Sequence, residues 1–553
     1  MKNLTLQLTL ACMFWTIGST HTNAQPVREE TGYLNISTIS DVSWNAVMVP
    51  TNDNGLFIGE TTAWYNPGGI THQKCFANKY WGTSPTRIQV SQNIAVPEFN
   101  QYDKMIAVAK DASGNLYAAS NYYYDANYQD DAILIKYSPT MTEEWRRYAF
   151  SSTGWPIKDD ESIDVHASGG NVHWLVYKPE TGYQLTKYSD AGVFLFNVQI
   201  TTFIPKKVKC NSAGEIYIWG YNLTGINDVY ITIQKLTAGG VQIWKKNFNA
   251  KVGDFVDNPE YFDVDAAGDV YFTTSSQTAL GTDAYLVKYS SAGVKQWNKY
   301  VAGTANTIDY GGPFCFDPSG NIYVAHTVTD INGGVTNTNV LIRKYSPTGG
   351  ILATKYYKGS GNANDKSVGI VYAGNGRIYL GAFTVGTTKR SVVAQYDAAL
   401  TLEFTDVVVH PETAPFPVVS QNTQPLGFIL DAPGNLLYWV GKQTATYPDY
   451  LDYQSSIFMI KYSLPAVPRL AQPSNETAIS LYPVPASDKV NITASSEILD
   501  VAVYDLTGRM IKRENGLQST EVVINIGDFK PGTYMVQVTK EDGEVEALKM
   551  IKN

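Results

Sequence analysis

The chain has 553 residues, of which 44% are hydrophobic and 12% aromatic, with 38 Tyr, 45 Gly and a formal net charge of −9. This length exceeds one ordinary compact domain unless the chain is built from repeats. The acidic balance, without basic clusters, argues against partners such as nucleic acid or anionic membranes. Abundant Tyr and Gly without long apolar helical stripes are typical of short strands joined by turns.

The first 24 residues predict a secretory signal peptide. Lys2 gives a positive start, residues 4–17 are apolar, and a small-residue cleavage site ends at Ala24. The apolar stretch is too short for a comfortable transmembrane helix, and no later segment reaches about 18 uninterrupted apolar residues. We therefore expect a mature chain that is exported through the periplasm and has no transmembrane segment.

Residues 25–465 contain one phrase eight times. Each copy is an apolar strand, a tight polar turn and a second strand that often carries Tyr, as in "FDPSGNIYVA" and "KDASGNLYAA". Pro, Asn, Asp and Gly give such turns their geometry. The even spacing of 44 to 59 residues between successive turn glycines indicates a repeat architecture. These glycines are Gly55, Gly114, Gly170, Gly214, Gly268, Gly320, Gly376 and Gly434.

A second hairpin completes each period, and its first strand usually ends in Lys-Tyr-Ser or a close variant. We call the four strands A to D, from the innermost outward. Such sheets arranged radially predict an all-β protein with a β-propeller. We count eight blades, with seven and an irregular cap as the alternative, because residues 60–100 fit the repeat poorly. The last copy lacks strand D, which residues 31–38 can supply to close the ring.

The Asp-x-x-Gly-Asn-x-Tyr form of the turn resembles bacterial propeller repeats, a resemblance that implies a fold and no activity. In this topology the A–B and C–D turns share one face of the disc. The longer B–C loops and D–A connections share the other, which we call the loop face. Because binding chemistry usually lies on loops held by a rigid scaffold, the loop face is the candidate working face.

Five units carry Asp eleven residues before the turn glycine, where the D–A connection enters strand A. We expect these carboxylates to surround one mouth of the central channel. The favoured interpretation is that each Asp accepts backbone N–H bonds and fixes its connection. The alternative is a ring that binds a cation, with Ca²⁺ as the one cofactor considered. The residues are Asp103, Asp159, Asp257, Asp309 and Asp365.

Two B–C loops are rich in Tyr and Asp. Tyr rings beside carboxylates and amides suit stacking on sugar rings or a protein interface. They suit packing within the loops equally well, so both interpretations stay open. The candidate ligand-binding residues are Tyr122, Tyr123, Tyr124, Tyr128, Tyr447, Tyr450 and Tyr453.

Three cysteines remain after the signal peptide, and two of them lie in the strand before a repeated turn. We interpret all three as small buried residues rather than disulfide partners. His166 and His173, which flank one turn, are interpreted as ordinary strand and turn residues. The cysteines are Cys75, Cys210 and Cys315.

The pattern changes after the propeller. Residues 466–477 are Pro-rich and polar, which indicates a linker. Residues 478–553 alternate as several strands with turns, which predicts a small β-sandwich. Four motifs stand out in this tail: Tyr-Pro-Val-Pro, Tyr-Asp-Leu-Thr-Gly-Arg, Pro-Gly-Thr-Tyr and a final Lys-Met-Ile-Lys-Asn.

These motifs resemble the C-terminal sorting domain of the type IX secretion system of Bacteroidetes, with Val484 where Asn is usual. The resemblance implies that the type IX machinery carries the chain across the outer membrane. It further implies removal of the tail, followed by release or attachment to the cell surface. The matching residues are Tyr482, Pro483, Pro485, Asp505, Gly508, Arg509, Pro531, Gly532, Tyr534 and Lys552.

Two classes of function remain. The sequence has no zinc-protease, nucleophile-elbow or nucleotide-binding motif, so we favour a non-catalytic binding or adhesion module for a glycan or protein. The alternative is an extracellular polysaccharide hydrolase or lyase that uses carboxylates on the loop face, such as Asp159, Asp160 or Glu161. A hydrolase requires two carboxyls about 5–10 Å apart in a concave pocket. A raised pKa on one of them would mark the acid.

Overall fold

The computed structural model describes residues 25–35, 41–65, 71–81, 88–93, 104–123, 130–149, 160–223, 229–250, 257–278, 281–301, 303, 308–332, 334–359, 363–386, 389–410, 420–433, 435–446, 453–465, 479–505, 509–541 and 545–553. All the regular secondary structure in these ranges is β-strand. None of the ranges contains a helix long and apolar enough to cross a membrane. The predicted signal peptide and linker lie outside the described residues.

The chain divides into two compact units, Met1–Val467 and Pro468–Asn553. The first unit begins with β1 (Val27–Asn35), β2 (Asp41–Pro50), β3 (Gly55–Tyr65), β4 (Thr71–Trp81), β5 (Ile88–Asn93), β6 (Lys104–Lys110), β7 (Leu116–Tyr123), β8 (Asp130–Tyr137), β9 (Glu143–Ala149), β10 (Glu161–Ser168), β11 (Asn171–Lys178), β12 (Gly182–Ser189), β13 (Phe194–Ile200), β14 (Ile204–Cys210), β15 (Ile216–Leu223), β16 (Val229–Leu236) and β17 (Gln242–Phe248). It continues with β18 (Asp257–Val264), β19 (Val270–Thr278), β20 (Gly281–Tyr289), β21 (Lys295–Val301), β22 (Phe314–Phe316), β23 (Ile322–Asn332), β24 (Val335–Tyr345), β25 (Ile351–Tyr357), β26 (Asn364–Tyr372), β27 (Ile378–Val385), β28 (Lys389–Tyr396), β29 (Leu402–His410), β30 (Ser420–Asp431), β31 (Leu436–Thr446) and β32 (Tyr453–Ser463).

In the described part of the first unit, these strands form eight four-stranded antiparallel sheets. Seven are consecutive meanders, from β2–β5 to β26–β29, and the eighth has the order β30-β31-β32-β1. Neighbouring A strands contact each other from β2 to β18 and from β22 to β30, and β30 of the eighth sheet contacts β2 of the first. The unit is therefore a β-propeller, and we number its blades in this order. The blade count stays a prediction for the complete ring.

The N-terminal strand closes the ring. β1 pairs antiparallel with β32, with Thr31 opposite Ile460 and Asn35 opposite Ser456. This pairing confirms the predicted closing strand, which starts earlier than expected, at Val27. Next to it, the Tyr438 hydroxyl of the eighth blade donates to the Asn54 carbonyl of the first, at 2.8 Å. Closure removes the exposed edge that β32 would otherwise present.

The repeated turn has a residue with positive φ, which favours glycine. Gly114 and Gly320 have φ of 87° and 76°, and each donates its N–H to the backbone carbonyl of the Asp three residues before it. In the first and last copies the positive φ falls on Asn54 and Asn435 instead. The alignment on Gly55 was therefore off by one residue, because Asn also tolerates the left-handed region.

The two repeated motifs are cross-strand partners. The Tyr on strand B lies opposite the Lys of Lys-Tyr-Ser on strand C, as in Tyr217 and Lys235. The Lys235 Nζ lies 5.2 Å from the Tyr217 ring centre, pairs with Glu215 at 2.8 Å, and donates to the Ser291 carbonyl at 3.2 Å. Ser291 belongs to the C–D turn of the next blade. One buried ammonium thus joins two blades.

The same Lys contact recurs in six successive blades and always reaches the second residue of the next C–D turn. The Nζ-to-carbonyl pairs are Lys79 to Pro139 (2.7 Å), Lys136 to Asp190 (3.1 Å), Lys187 to Ala238 (2.9 Å), Lys235 to Ser291 (3.2 Å), Lys288 to Pro347 (3.4 Å) and Lys344 to Ala398 (2.9 Å).

Buried side chains from neighbouring blades fill the space between them. One cluster joins Ala119 and Leu134 of the second blade to Val172 and Trp174 of the third. The Tyr of the Lys-Tyr-Ser motif is buried, as predicted, and Tyr137 is one example. Face-to-face packing of this kind gives the unit its core.

The three cysteines are free thiols, which confirms that they are not disulfide partners. Cys75 is fully buried. The Cys210 Sγ lies 3.4 Å from the Nδ1 atom of His173. Burial raises the pKa of Cys210 to about 12 and lowers the pKa of His173 to about 3, so both groups are neutral at pH 7.

The second unit is rich in sheet. It contains β33 (Ser480–Tyr482), β34 (Lys489–Asp505), β35 (Met510–Asn525), β36 (Gly532–Lys540) and β37 (Val545–Lys552). The described strands pair in the order β33-β34-β36-β37, and β35 also pairs with β34. Alternate residues such as Val501 and Val503 of β34 and Val536 and Val538 of β36 enter a separate core.

Replacing Lys235 by Met tests the contact between blades. The change removes the ion pair of Glu215 and leaves the Ser291 carbonyl with one donor fewer, and we expect it to lower the free energy of unfolding by about 1–3 kcal/mol. Chemical denaturation of the mature chain measures this loss. The exposed Lys246→Met is the control and should change stability little. Equal midpoints for the two variants would contradict the structural role of Lys235.

Candidate functional site

The predicted Tyr platform is only partly within the described residues. Tyr122 and Tyr123 end β7, and Tyr453 begins β32, so their backbones lie at the loop face. The other four, Tyr124, Tyr128, Tyr447 and Tyr450, lie outside the described residues. A ligand-binding role for these seven residues stays a prediction.

The predicted Asp ring is also partly described. Asp103 and Asp159 lie outside the described residues, and Asp257 begins β18. Asp309 and Asp365 are 1% exposed, and burial raises the pKa of both carboxyls. Their environments can therefore be compared in detail.

Asp309 and Asp365 perform the same task in successive blades. Asp309 accepts the N–H groups of Gly303, in the D–A connection, and Thr329, on strand B, at 2.7 and 2.6 Å. Asp365 accepts the Gly359 N–H of its own connection and the Thr384 hydroxyl, both at 2.6 Å. Each carboxylate ties a connection to strand B, as the favoured interpretation requires.

Among the described residues no group of three or more His, Cys, Asp or Glu side chains is arranged to hold a metal ion. The protein donors around Asp309 and Asp365 take the oxygens that a cation would use. The Ca²⁺ ring stays a prediction that these two positions do not favour.

A cleft of about 730 Å³ opens on the loop face where the fifth, sixth and seventh blades meet. Its walls come from the start of β18, the connection before β22, the end of β23, and the facing ends of β24, β26 and β27. The cleft lies on the face that the sequence predicts as the working face, but none of its lining residues is among the predicted site residues. Its lining includes Glu260, Tyr261, Tyr310, Thr338, Asn364 and Lys366.

Glu260 lies at a β-bulge. The pairing of β18 with β19 shifts register between Pro259 and Tyr261, and Glu260 is the extra residue. Bulges redirect side chains and recur beside functional sites. Ile106 and Val368 occupy the same bulge in the second and seventh blades. The fourth blade has Lys206 at this bulge, so among these four copies Glu260 is the one acid.

The Glu260 carboxyl is held in a tight environment. Its Oε1 accepts the Ser275 hydroxyl, while Oε2 has no hydrogen-bond partner among the described residues. The Gly311 backbone lies so close that a Cβ there would approach Oε2 to 2.6 Å. Burial raises the pKa of Glu260 to about 8, against the opposing effects of Ser275, the Gly311 N–H and Lys366. At pH 7 this carboxyl is mostly protonated.

Two tyrosines present ring surface in the cleft. Tyr261 is 38% exposed and Tyr310 is 45% exposed. The backbone of Tyr310 is fixed by an exchange of N–H···O bonds with Thr327 of β23, at 2.8 and 3.3 Å. The Tyr310 ring therefore stands on a rigid support.

Polar groups stand opposite these rings. Asn364 and Lys366 are exposed at the start of β26. The Asn364 Oδ1 accepts the Thr338 N–H at 3.0 Å, which leaves the amide NH₂ facing outward as a donor. Aromatic faces, an amide and an ammonium are the groups that bind sugar rings and their substituents.

The C-terminal unit matches a known protein family. Residues 480–553 match the family described as the secretion system C-terminal sorting domain. The C-terminal unit is a type IX sorting domain. This confirms the resemblance drawn from its motifs, and it indicates a secreted or cell-surface protein that engages the type IX machinery.

Two curated relatives share part of the chain. Beta-agarase D of Zobellia galactanivorans is 32% identical over 73 residues, which are 13% of this chain and 14% of the relative. Ulvan lyase NLR42 of Nonlabens ulvanivorans is 23% identical over 204 residues, 35% of this chain and 36% of the relative. The chain thus spans well under half the length of either relative.

Among solved structures, the β-propeller domain of the Trilobed protease from Pyrococcus furiosus is 8% identical, with a TM-score of 0.34. The match covers 68% of this chain and all of that chain. A likeness of this size says nothing about activity. The name of the propeller repeat stays a resemblance.

The sorting-domain motif residues lie mainly in turns and at strand ends. The Asp505 Oδ2 pairs with the Arg509 Nε at 3.2 Å across one turn, and the Tyr534 hydroxyl donates to the Lys530 carbonyl at 2.8 Å. Tyr482 is 46% exposed, and Gly508 lies outside the described residues. The remaining motif residues are Pro483, Pro485, Pro531, Gly532 and Lys552.

The protonation of Glu260 predicts a pH effect on stability. The carboxyl has a pKa of about 8 in the folded chain and about 4.5 ordinarily, so it binds its proton more tightly when folded. Its stabilisation is fully present below pH 4.5 and is lost as the pH rises through about 8. Relative to Glu260→Gln, the wild type should lose on the order of a few kcal/mol over that range.

Thermal unfolding at a series of pH values measures this difference. The control is Glu180→Gln, an exposed glutamate in the same unit, which should follow the wild type. Parallel pH profiles for the wild type and Glu260→Gln would show that the carboxyl is ionised in the folded chain.

Deleting residues 478–553 tests the sorting domain. The truncated chain keeps the predicted signal peptide, so we expect it to cross the inner membrane and stay in the periplasm. Cell fractionation and immunoblotting of the culture medium distinguish the two locations, with the full chain as the control. Normal release of the truncated chain would contradict the assignment.

Proposed function

We propose that the secreted propeller is a non-catalytic module that binds a polysaccharide in the cleft of the loop face. The observation that carries the proposal is the cleft itself, where the exposed rings of Tyr261 and Tyr310 stand beside Asn364 and Lys366. This composition favours a glycan over the protein ligand that the sequence left open.

The cleft has the features that sugar binding needs. The surface that lines it is largely apolar, its volume of about 730 Å³ is within the usual range for ligand sites, and its polar side chains include Asn364 and Lys366. Tyr rings lose little conformational entropy when they stack on a ligand. The names of the two curated relatives, an agarase and an ulvan lyase, support a polysaccharide as the ligand class.

The second candidate is a polysaccharide lyase or hydrolase, and Glu260 is the observation that favours it. A carboxyl with a pKa of about 8 can act as a general acid at neutral pH. Against it, the described lining of the cleft contains only this one carboxyl, whereas glycoside hydrolysis requires a pair. The Oε2 atom is also shielded from solvent. Binding therefore ranks first.

Replacing Tyr310 by Ala tests the binding site. Loss of one stacking ring should weaken polysaccharide binding by about 1–2 kcal/mol, roughly five- to thirtyfold, without unfolding the chain. A glycan array on the purified mature chain identifies a ligand, and calorimetry then compares the variants. Tyr300→Ala, at a 54% exposed Tyr of the outer strand β21, is the matched control.

The same samples distinguish binding from cleavage. If the module only binds, polysaccharide recovered after incubation keeps its length, and Glu260→Gln behaves like the wild type. Shortened chains that disappear with Glu260→Gln would establish the enzymatic candidate instead. Unchanged affinity in Tyr310→Ala would remove the cleft from the proposal.

A further inference from the structure

Two charged side chains, Glu260 and Lys366, line the cleft, and the rest of its described lining is uncharged. They come from different blades, Glu260 from β18 of the fifth and Lys366 from β26 of the seventh. The two groups interact, because the Lys366 ammonium opposes the rise in the pKa of Glu260 that burial causes. The net charge of the cleft wall therefore depends on whether Glu260 carries its proton.

The bulge that holds Glu260 recurs in five other blades with an apolar residue in its place. In four of these blades that residue packs against an apolar cluster of the core. A buried acid costs free energy where an apolar side chain would pack. A carboxyl at this position therefore points to a role in the cleft rather than in the fold. The apolar residues are Trp44, Ile106, Ile163, Val368 and Leu426, and the last four are those that pack on the clusters.

The packing around Glu260 favours its protonated form. Its Oε1 accepts the hydroxyl of Ser275, which is fully buried. The Gly311 N–H donates to that same hydroxyl at 3.0 Å, and Oε2 has no hydrogen-bond partner among the described residues. A buried carboxylate is costly unless both oxygens accept hydrogen bonds, and a carboxylic acid is less so. Burial accordingly raises the pKa of Glu260 to about 8.

The elements packed around Glu260 contribute other titratable groups, but these are neutral or engaged elsewhere. Burial raises the pKa of the adjacent Tyr261 to about 12, so this ring stays neutral in moderately alkaline solution. In the connection before β22, the Asp309 carboxylate accepts two backbone N–H groups. β19 faces the Glu260 carboxyl with the uncharged Ser275. The titratable groups of these elements are Tyr261, Asp309, Tyr310, Asp365 and Lys366, and Lys366 is the one whose charge acts on the pKa of Glu260.

We propose that Glu260 determines which ligand charge the cleft accepts, and that with Glu260 protonated the cleft selects a sugar residue whose sulfate or carboxylate group binds Lys366. The inference rests on the proposed function, because the polysaccharide occupies the same cleft. Lys366 is exposed, and an ammonium binds the oxygens of sulfate and carboxylate through charge-assisted hydrogen bonds. The ligand class is therefore an anionic polysaccharide rather than a neutral one.

The proton on Glu260 gives this selectivity a direction with pH. Below about pH 8 the carboxyl is neutral, and Lys366 is the one charge on the described wall of the cleft. Above about pH 8 the carboxylate offsets the Lys366 charge and repels an anionic group in the cleft. The affinity for an anionic ligand therefore falls as the pH rises through about 8, while the affinity for a neutral ligand stays the same.

The test measures the binding of three polymers to the purified mature chain at about pH 6.5 and about pH 9, on either side of the Glu260 pKa, at one low ionic strength. Dextran is neutral, dextran sulfate shares its backbone and carries sulfate, and polygalacturonate carries carboxylate. We expect the wild type to bind at least one anionic polymer more tightly than dextran at the lower pH. That affinity should fall about five- to tenfold at the higher pH. The choice between the two anionic polymers identifies the anion.

Glu260→Gln keeps the size of the side chain and removes its charge at every pH. It should bind the anionic polymer as the wild type does at the lower pH and keep that affinity at the higher pH. Glu260→Val, the residue type at the bulge of the seventh blade, is a second neutral variant and should behave alike. Lys366→Gln should bind the anionic polymer no more tightly than dextran at either pH. The control is Lys246→Gln, at an exposed Lys of the fourth blade, which should follow the wild type.

The outcomes separate this inference from the proposed function. Parallel losses of affinity in the wild type and Glu260→Gln overturn the role of Glu260, and an undiminished preference in Lys366→Gln overturns the anion site. In both cases weaker binding by Tyr310→Ala leaves the proposed function standing. If Tyr310→Ala binds every polymer as the wild type does, the cleft and this inference fall together. A wild type that binds none of the three polymers overturns the anionic ligand class, and the glycan array then decides the proposed function alone. Thermal unfolding at both pH values verifies that each variant is folded.

Discussion

The structure depends on one contact repeated around the ring: a buried Lys on strand C that reaches the next blade. Its ammonium lies over the Tyr of strand B, pairs with an acid of the turn, and donates to a carbonyl of the following C–D turn, as in Lys235. A buried charge is costly unless all its donors are used. The contact is therefore satisfied only when the neighbouring blade is in place, which makes each of the first six blades depend on the next.

Much of the fold could be predicted because both partners of this contact recur along the sequence. One is the Tyr that follows the A–B turn, and the other is the Lys of Lys-Tyr-Ser on strand C. The closing strand followed from a blade that lacked strand D, and β1 supplies it. The alignment failed at Gly55 and Gly434 for a local reason. Asn54 and Asn435 adopt the positive φ there, so a glycine-based alignment slipped by one residue. With Asn435 as the reference, Tyr438 takes the same place as Tyr117 does after Gly114.

The candidate site was less predictable, because its residues come from three blades and lie far apart in sequence. Tyr261, Tyr310 and Lys366 meet only after the ring forms, and no short motif joins them. The bulge that turns Glu260 into the cleft is a property of strand pairing. The tail, whose motifs are local, was recognisable from the sequence.

One position of the repeat has the same residue in two blades, while the position after it differs between them. This contrast explains how one scaffold carries a specific surface. Asp309 and Asp365 occupy the same position and bind their own connections in the same way. The next residue is Tyr310 in one blade and Lys366 in the other, and both line the cleft. Because strand residues alternate between faces, a constant anchor can stand beside a variable contact without disturbing the blade. The repeat fixes where the chain enters the A strand, and in these two blades the residue after the anchor lines the cleft on the loop face.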